Sequence, residues 1–284
     1  MQTRALYKSA PLLLLLAILL VMTNSAEAKE RIKKTSNEIV GNKAGCYKVA
    51  KSYKLTNAVH GLDGELQLLQ DSRLTNAVYA KQFGTAFNAM YMDNDDAFAK
   101  KFKDNPPLGS VLRILSRYNN YAVLKESYTY GETPVGILEE VRLLDTCKPT
   151  YLLTLDESAG MGSYNGLMTY FYEIDAGKLK DVTYLDSKTN KREHIALMRS
   201  LKTNWKLIKS KDGKSSDILH VACRPDFSSP MKSNDNEQDD FLVFYDRFQF
   251  NGKEWVKYTI VEKDFWESED DDDFPPVSKF PVGH

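Results

Sequence analysis

Two alternating segments joined by Asn251-Gly252 restrict the fold more than any other part of the sequence. The segment before the turn is FLVFYDRFQF and the segment after it is KEWVKYTIV, so apolar and polar residues alternate on both sides. This period of two is that of a strand with one buried face, and Asn-Gly favours the two positive-φ positions of a type I′ turn. The pattern predicts a tight antiparallel hairpin with Trp255 just inside the returning strand.

Two further hairpins are predicted by the same alternation. LMTYFYEI and LKDVTYL flank residues 175–178, and NWKLIKS and DILHVAC flank residues 211–214. Additional strands are predicted near residues 121–128, 137–144 and 151–155. Residues 121–266 are therefore predicted to form an antiparallel β domain, arranged as a meander, a sandwich or a barrel-like sheet.

The preceding segment, residues 55–120, has a different pattern. Leu62, Leu66 and Leu69 are spaced at i, i+4 and i+7, and Val111, Leu112 and Leu115 form a similar stripe after Pro106-Pro107. Phe98 and Phe102 form an i, i+4 pair between them. Spacings near 3.6 residues favour short amphipathic helices. The sequence thus predicts an α+β fold, in which a short N-terminal helical segment precedes a mainly antiparallel β-sheet.

The first 28 residues have the features of a secretory signal peptide. Arg4 and Lys8 precede an unbroken apolar run from Leu12 to Met22, and Ala26-Glu27-Ala28 offers a cleavage site before Lys29. An uncleaved membrane anchor is the alternative, but 11 apolar residues fall short of the roughly 20 that span a bilayer. We expect an exported chain, periplasmic or extracellular, with no membrane span after cleavage.

Charge is separated between the two ends of the remaining chain. Residues 29–54 form a basic leader with eight Lys or Arg and two Glu, whereas residues 262–273 contain eight acidic residues and one Lys. Residues 267–284 are acidic and contain proline, which predicts a flexible tail. The overall charge is −1 and 42% of the residues are hydrophobic. These values exclude a disordered chain and a strongly basic nucleic-acid-binding protein.

Three cysteines allow at most one intramolecular disulfide. Cys223 follows Leu219 and Val221 on one face of a predicted strand, as a buried thiol does. Cys46 and Cys147 are therefore the candidate disulfide pair, which an oxidising compartment would favour. A catalytic cysteine is disfavoured because no histidine accompanies one in a known motif.

Residues 160–166, GMGSYNG, form the most conspicuous loop. Their glycine spacing matches neither a dinucleotide-binding loop nor a nucleophile elbow. A wide turn between strands is the simpler interpretation. The alternative is a ligand-contacting loop that uses Gly162, Tyr164 and Asn165.

No catalytic or metal-binding spacing emerges from the acidic residues and histidines. Glu139-Glu140 and Asp156-Glu157 are adjacent pairs, and neighbours in a strand point to opposite faces. His194 and His220 lie in separate predicted strands. No cofactor or metal is predicted.

These observations favour a non-enzymatic binding or interaction protein of the bacterial cell envelope, whose partner is an envelope component or another protein. One alternative is an envelope or extracellular hydrolase with a site assembled only in the fold, from at least two of His194, His220, Glu139, Glu140 and Asp156. The other is a structural envelope component that oligomerises.

Overall fold

The computed structural model describes residues 46–74, 108–118, 121–130, 135–146, 148–156, 166–210, 213–228, 240–268 and 273–282. These residues form fifteen strands, one short helix, α1 (Asn57–His60), and a 3-10 turn at Val277–Lys279. The strands are β1 Tyr47–Leu55, β2 Gly64–Asp71, β3 Ser110–Tyr118, β4 Tyr121–Tyr130, β5 Gly136–Val141, β6 Thr150–Asp156, β7 Leu167–Asp175, β8 Lys178–Asp181, β9 Thr183–Asp186, β10 Arg192–His194, β11 Ala196–Arg199, β12 Thr203–Lys209, β13 Ser216–Pro225, β14 Phe241–Phe250 and β15 Trp255–Lys263.

The strands are arranged in three sheets. The first sheet has the order β1-β2-β3-β4, and the middle sheet has the order β11-β7-β6-β5 with β8 also paired to β7. The third sheet has the order β10-β9-β15-β14-β13-β12. Among the described pairs, β9 and β15 run parallel and the others antiparallel.

The three sheets are stacked, with the middle sheet between the other two. One face of the middle sheet packs Leu153 against Leu66 of the first sheet, and the other packs Leu152 against Trp205 of the third. Leu152 and Leu153 are 3% and 0% exposed although they point to opposite faces. Burial on both faces explains why β6 is almost continuously apolar.

The predicted α+β class is wrong. Within residues 55–120, the described part consists of the end of β1, α1, β2 and β3, and α1 has only four residues. Leu66 and Leu69 have helical spacing, yet they lie on opposite faces of β2 and are 0% and 4% exposed. A strand buried on both faces places apolar residues at odd and even positions, so it reproduces a helical spacing by chance. Phe98 and Phe102 lie outside the described residues. No helix in the described ranges has the length and hydropathy needed to span a membrane.

The predicted hairpins are confirmed as β7–β8, β12–β13 and β14–β15, and the additional strands as β4, β5 and β6. The returning strand predicted at residues 179–185 is divided, because β8 ends at Asp181 and the following β9 belongs to the third sheet. The turn predicted at Asn251-Gly252 is wrong. Phe250 pairs with Trp255, so the loop has four residues. Gly252 has a φ of +92°, but Asn251 is not among the described residues with positive φ. Instead, the Asn251 Oδ1 atom accepts the backbone N–H groups of Lys253 and Glu254, each at 2.9 Å.

The two-residue turn with two positive φ angles lies in the β7–β8 hairpin. Ala176 and Gly177 have φ angles of 49° and 73°, and Asp175 pairs directly with Lys178. This is the geometry of a type I′ turn. Gly177 also donates its N–H to the carbonyl of His60 at 2.8 Å, so the turn is fixed against α1.

The C-terminal segment, residues 264–268 and 273–282, covers the outer face of the third sheet. Phe280 is 2% exposed, stacks on Phe274 at 5.3 Å and meets Tyr245 edge-on at 5.5 Å. Arg247 Nη1 donates to the carbonyl of Pro281 at 3.2 Å. The sequence assigned most of this segment to a flexible tail, whereas its described residues pack against the sheet.

Candidate functional site

A groove lies where the edge of the first sheet meets the edge of the middle sheet. It has a volume of about 380 Å³ and is lined by Ala50, Lys51, Tyr53, Leu68 and residues 136–140. Among the described strands, β1 and β5 are edge strands of their sheets.

Two side chains from the first sheet form hydrogen bonds with backbone groups on the open edge of β5. Tyr53 Oη donates to the carbonyl of Leu138 at 3.3 Å and accepts the N–H of Glu140 at 3.1 Å. Gln70 Nε2 donates to the carbonyl of Gly136 at 2.8 Å. An edge capped in this way is closed to pairing with another strand. A ligand in the groove would therefore be recognised by side chains.

A buried hydrogen-bonded pair lies behind the groove. His60 Nδ1 lies 3.0 Å from the Thr56 amide nitrogen and 3.3 Å from the Thr56 carbonyl oxygen, and His60 Nε2 is hydrogen-bonded to Tyr151 Oη at 3.0 Å. Burial lowers the pKa of His60 despite the nearby Glu140 carboxylate. Burial, reinforced by the charge of Glu140, raises the pKa of Tyr151. Tyr151 thus remains a neutral phenol beside the Glu140 carboxylate, which belongs to its cross-strand neighbour.

The end of α1 fixes the position of His60. Gly61 has a φ of +74°, and a Cβ atom there would lie 2.7 Å from the Cα of Ala176. Only glycine avoids both the strain and this contact. The α1 helix can therefore sit against the β7–β8 turn with the His60 ring directed at Tyr151.

Three charged residues are among those that line the groove, and two of them are acidic. Glu139 and Glu140 are exposed, and neither forms an ion pair with another described residue. The ammonium group of Lys51 lies 5.1 Å from the centre of the Tyr53 ring, a cation–π distance. Adjacent residues of a strand point to opposite faces, and Glu140 is paired with Tyr151 on the face towards the first sheet, whereas Glu139 is paired with Leu152 on the other face.

A second polar constellation crosses the third sheet. Trp205, His220, Asp246 and Thr259 are consecutive cross-strand partners on β12, β13, β14 and β15. His220 Nδ1 is 3.1 Å from Asp246 Oδ2, and Thr259 Oγ1 donates to Asp246 Oδ1 at 2.5 Å. Burial opposes ionisation of Asp246, but the hydrogen bond and charge of His220, with Lys257 and Thr259, outweigh it and lower the pKa. Asp246 therefore accepts the Nδ1 proton and leaves His220 Nε2 as the basic atom.

The structure does not bring the five hydrolase candidates together. His194 pairs with Asp181 at 3.4 Å on β10, which is four strand spacings, or about 19 Å, from His220 on β13. Glu139 and Glu140 belong to the middle sheet, and Asp156 is the last residue of β6. The partner of His220 is Asp246, which the sequence analysis did not consider.

The remaining predicted site residues are those of the 160–166 loop and the cysteines. Gly162, Tyr164 and Asn165 lie outside the described residues, and so does Cys147. Cys46 is an exposed free thiol, and the described residues contain no disulfide. Cys223 is 0% exposed, as predicted, and burial raises the pKa of its thiol. Within the same residues, no three His, Cys, Asp or Glu side chains form a group able to hold a metal ion.

Sequence reasoning missed Tyr53, His60 and Tyr151 at the groove, and Asp246 and Thr259 beside His220. One signal was available: the period of two puts Asp246 on the same face of its strand as the apolar Phe244 and Phe248, where an acidic side chain needs a partner. No protein-family model matches the chain, and neither a curated protein nor a solved structure does. The proposed function therefore depends on the groove between β1 and β5 and on the His220–Asp246 pair.

Proposed function

We propose that the chain is an exported, non-enzymatic binding protein of the bacterial cell envelope and that the β1–β5 groove is its ligand site. The observation that supports the proposal is a groove between two sheet edges that is lined by Lys51, Tyr53 and residues 136–140. Its volume of about 380 Å³ is within the roughly 300–1,000 Å³ of small-molecule sites. Tyr53 and Gln70 already form hydrogen bonds with three backbone groups on the open edge of β5, so side chains would recognise the ligand.

Export is the part of the proposal that depends on the first 28 residues. The full chain, expressed in a bacterial host, should be recovered from the periplasm or medium with Lys29 as its first residue. The matched variant Ala28→Leu should keep the leader attached, because a cleavage site needs a small side chain there. N-terminal sequencing of fractionated cells measures this. A wild-type chain that stays in the cytoplasm with residues 1–28 attached would refute export.

Binding is tested by filling the groove. Ala50 lines it and is exposed, so Ala50→Trp should occupy the space without disturbing a buried contact. Ala196 is an exposed alanine on β11, an edge strand of the middle sheet, and Ala196→Trp is the matched control. The exported chain should sediment with an isolated envelope fraction, and Ala50→Trp should reduce the bound fraction at least fivefold while Ala196→Trp leaves it unchanged. Equal sedimentation of both variants would show that the groove is not the binding site.

A hydrolase is the second candidate, and the His220–Asp246 pair favours it. His220 Nε2 would take a proton from water as the water oxygen adds to a carbonyl carbon, and would return it to the departing alkoxide. Asp246 would hold the ring in the required tautomer, as the acid does in a catalytic triad.

Hydrolysis of p-nitrophenyl acetate tests this candidate. His220→Gln should lower the rate at least about 100-fold if the ring is a general base. His194→Gln, at the exposed edge of the same sheet, is the control. A wild-type rate no higher than that of His220→Gln would eliminate the hydrolase.

A further inference from the structure

We propose that two copies of the chain dimerise by pairing the C-terminal parts of their β15 strands, edge to edge and antiparallel. This interface lies on the third sheet, away from the ligand groove, and its occupant is a second copy of the chain. Residues 258–263 form a sheet edge that is open, unprotected and complementary to itself.

The edge of β15 is open beyond Lys257. β9 pairs with β15 only over its first three residues, and the Lys257 carbonyl accepts the N–H of Ser187 at 3.0 Å on that side. Outward backbone groups recur at every second residue of a strand, so Thr259, Val261 and Lys263 direct their N–H and C=O groups to the same side. No described residue forms a backbone hydrogen bond with these groups. The edge therefore offers donors and acceptors to another strand.

The other long sheet edges of the described chain carry features that prevent pairing. β1 has a bulge at Ala50 and contains three lysines, and β4 has a bulge at Lys125. The β5 edge is capped by side chains of the first sheet, and on β12 Arg199 donates to the carbonyl of Trp205 at 3.2 Å. Bulges, lysines and capped backbone groups are the usual protection of a sheet edge. Residues 258–262 have no lysine, proline or bulge, so this edge lacks such protection.

The position of the β9 turn selects a second copy as the partner. Any strand added to this edge has to leave the sheet before it reaches Ser187, which bonds the last residue paired with β9. β15 of a second copy meets this condition when the two strands pair around Val261. Its Lys263 then lies opposite Thr259, and the chain that follows Lys263 crosses the outer face of the sheet instead of continuing along the edge. Twofold symmetry gives both copies the same fit.

The same register satisfies the backbone and places no like charges opposite each other. The three outward residues of one copy pair with those of the other, and each pair exchanges two backbone hydrogen bonds. Ile260 lies opposite Glu262, and Tyr258 lies opposite Asp264, so no charged side chain directly faces one of its own sign. Ile260 and Val261 are 38% and 40% exposed and point to opposite faces, so the added strand covers apolar surface on both faces.

Sedimentation velocity over a concentration series tests the dimer. The purified chain should dimerise with a Kd of about 100 μM or lower, as expected for a small interface. Val261→Lys should raise the Kd at least about tenfold, because two lysines would face each other across the twofold axis. Val123→Lys is the matched control, since Val123 is 49% exposed on β4, another edge strand, and its Kd should stay within about twofold of the wild type.

Cysteine crosslinking tests the register independently of the lysine variants. Opposed residues of a hydrogen-bonded pair have Cα atoms about 5.5 Å apart, which a disulfide can bridge. Val261→Cys, in a Cys46→Ser/Cys147→Ser background, should therefore form a disulfide-linked dimer under mild oxidation. Ile260→Cys is the control, because its two copies would be diagonal neighbours about 7–8 Å apart and should crosslink at least about tenfold more slowly.

Three results would overturn the proposal. One is a chain that remains monomeric at about 1 mM, well above the expected Kd. Another is an equal Kd for Val261→Lys and Val123→Lys. The third is crosslinking of Ile260→Cys at least as fast as that of Val261→Cys, which excludes pairing around Val261. Ligand binding in the groove is unaffected by any of these results, since the groove lies between the other two sheets.

Discussion

The buried ion pair between Asp217 and Arg247 yields the strongest prediction for stability. Asp217 is 0% exposed and Arg247 is 6% exposed, and two N–H groups of the guanidinium reach the same carboxylate oxygen at 2.8 and 2.5 Å. The other oxygen of Asp217 is buried without a hydrogen-bond partner. The carboxylate therefore depends on Arg247 alone for its stabilisation.

Arg247→Met should be severely destabilising. Removing one partner of a buried pair costs about 3–5 kcal/mol because the other charge stays buried. The hydrogen bond from Arg247 to the Pro281 carbonyl, 3.2 Å long, is lost as well, which adds about 1 kcal/mol. We expect a loss of about 4–6 kcal/mol in the free energy of unfolding.

The double variant Asp217→Leu/Arg247→Met should recover most of this loss. Replacing both members of a buried pair by apolar side chains is often neutral, so the double variant should lie within about 2 kcal/mol of the wild type. Urea unfolding followed by tryptophan fluorescence measures all three proteins, and Arg192→Met serves as the control. Arg192 pairs with Glu254 on the surface, so its loss should cost less than about 1 kcal/mol.

Two results would refute this reasoning. If Arg247→Met costs no more than Arg192→Met, the buried carboxylate does not depend on its partner. If the double variant is as unstable as Arg247→Met, the cost comes from lost packing and not from the unpaired charge.

Three further predictions concern Ser127, Asp71 and the two described cysteines. The Ser127 hydroxyl is buried without a partner, so Ser127→Ala should stabilise the fold by up to about 1 kcal/mol in urea unfolding; a loss of more than 1 kcal/mol would contradict the assignment. Burial opposes ionisation of Asp71, but hydrogen bonds, above all from Arg73, outweigh it and lower its pKa from 3.8 to about 2. The lowered pKa of Asp71 contributes at most about 2 kcal/mol to the free energy of unfolding, and this contribution is complete above pH 3.8 and lost as the pH falls towards 2. Acid unfolding of Asp71→Asn should therefore lack this pH-dependent component. An acid-unfolding profile equal to that of the wild type would contradict the prediction. Iodoacetamide under non-reducing conditions should label the exposed Cys46 in the native protein and the buried Cys223 only after unfolding; an unreactive Cys46 would instead support the predicted disulfide with Cys147.

The parts of the fold that were predicted correctly depend on local alternation. β14 and β15 have polar residues between their apolar ones and flank the turn-favouring Asn251-Gly252, so a period of two is visible in the sequence. The same reasoning failed for β2. This strand is buried on both faces, so Leu66 and Leu69 could be grouped at a helical spacing. The burial of a strand's second face depends on which sheet lies above it, and local sequence does not specify that.

The candidate site was less predictable because its residues come from distant strands. Tyr53 and Leu138 are 85 positions apart and belong to different sheets. His220 faces Asp246 through the β13–β14 register, and the 15 residues between those strands, 226–240, are too many for their sequence to specify the register. Both contacts follow from sheet packing and long-range register.

The parallel pairing of β9 with β15 has a kinetic consequence. Tyr184 and Trp255 are partners although 71 positions separate them, whereas β12, β13, β14 and β15 pair in sequence order. Closing a longer segment costs more entropy, so the meander from β12 to β15 should form first and capture the β9–β10 hairpin late in folding. When the chain emerges from a ribosome with its N-terminus leading, β9 therefore waits for a partner that arrives 71 residues later. Until then the Tyr184 ring lacks the neighbouring strand, so we expect this interval to expose the nascent chain to aggregation.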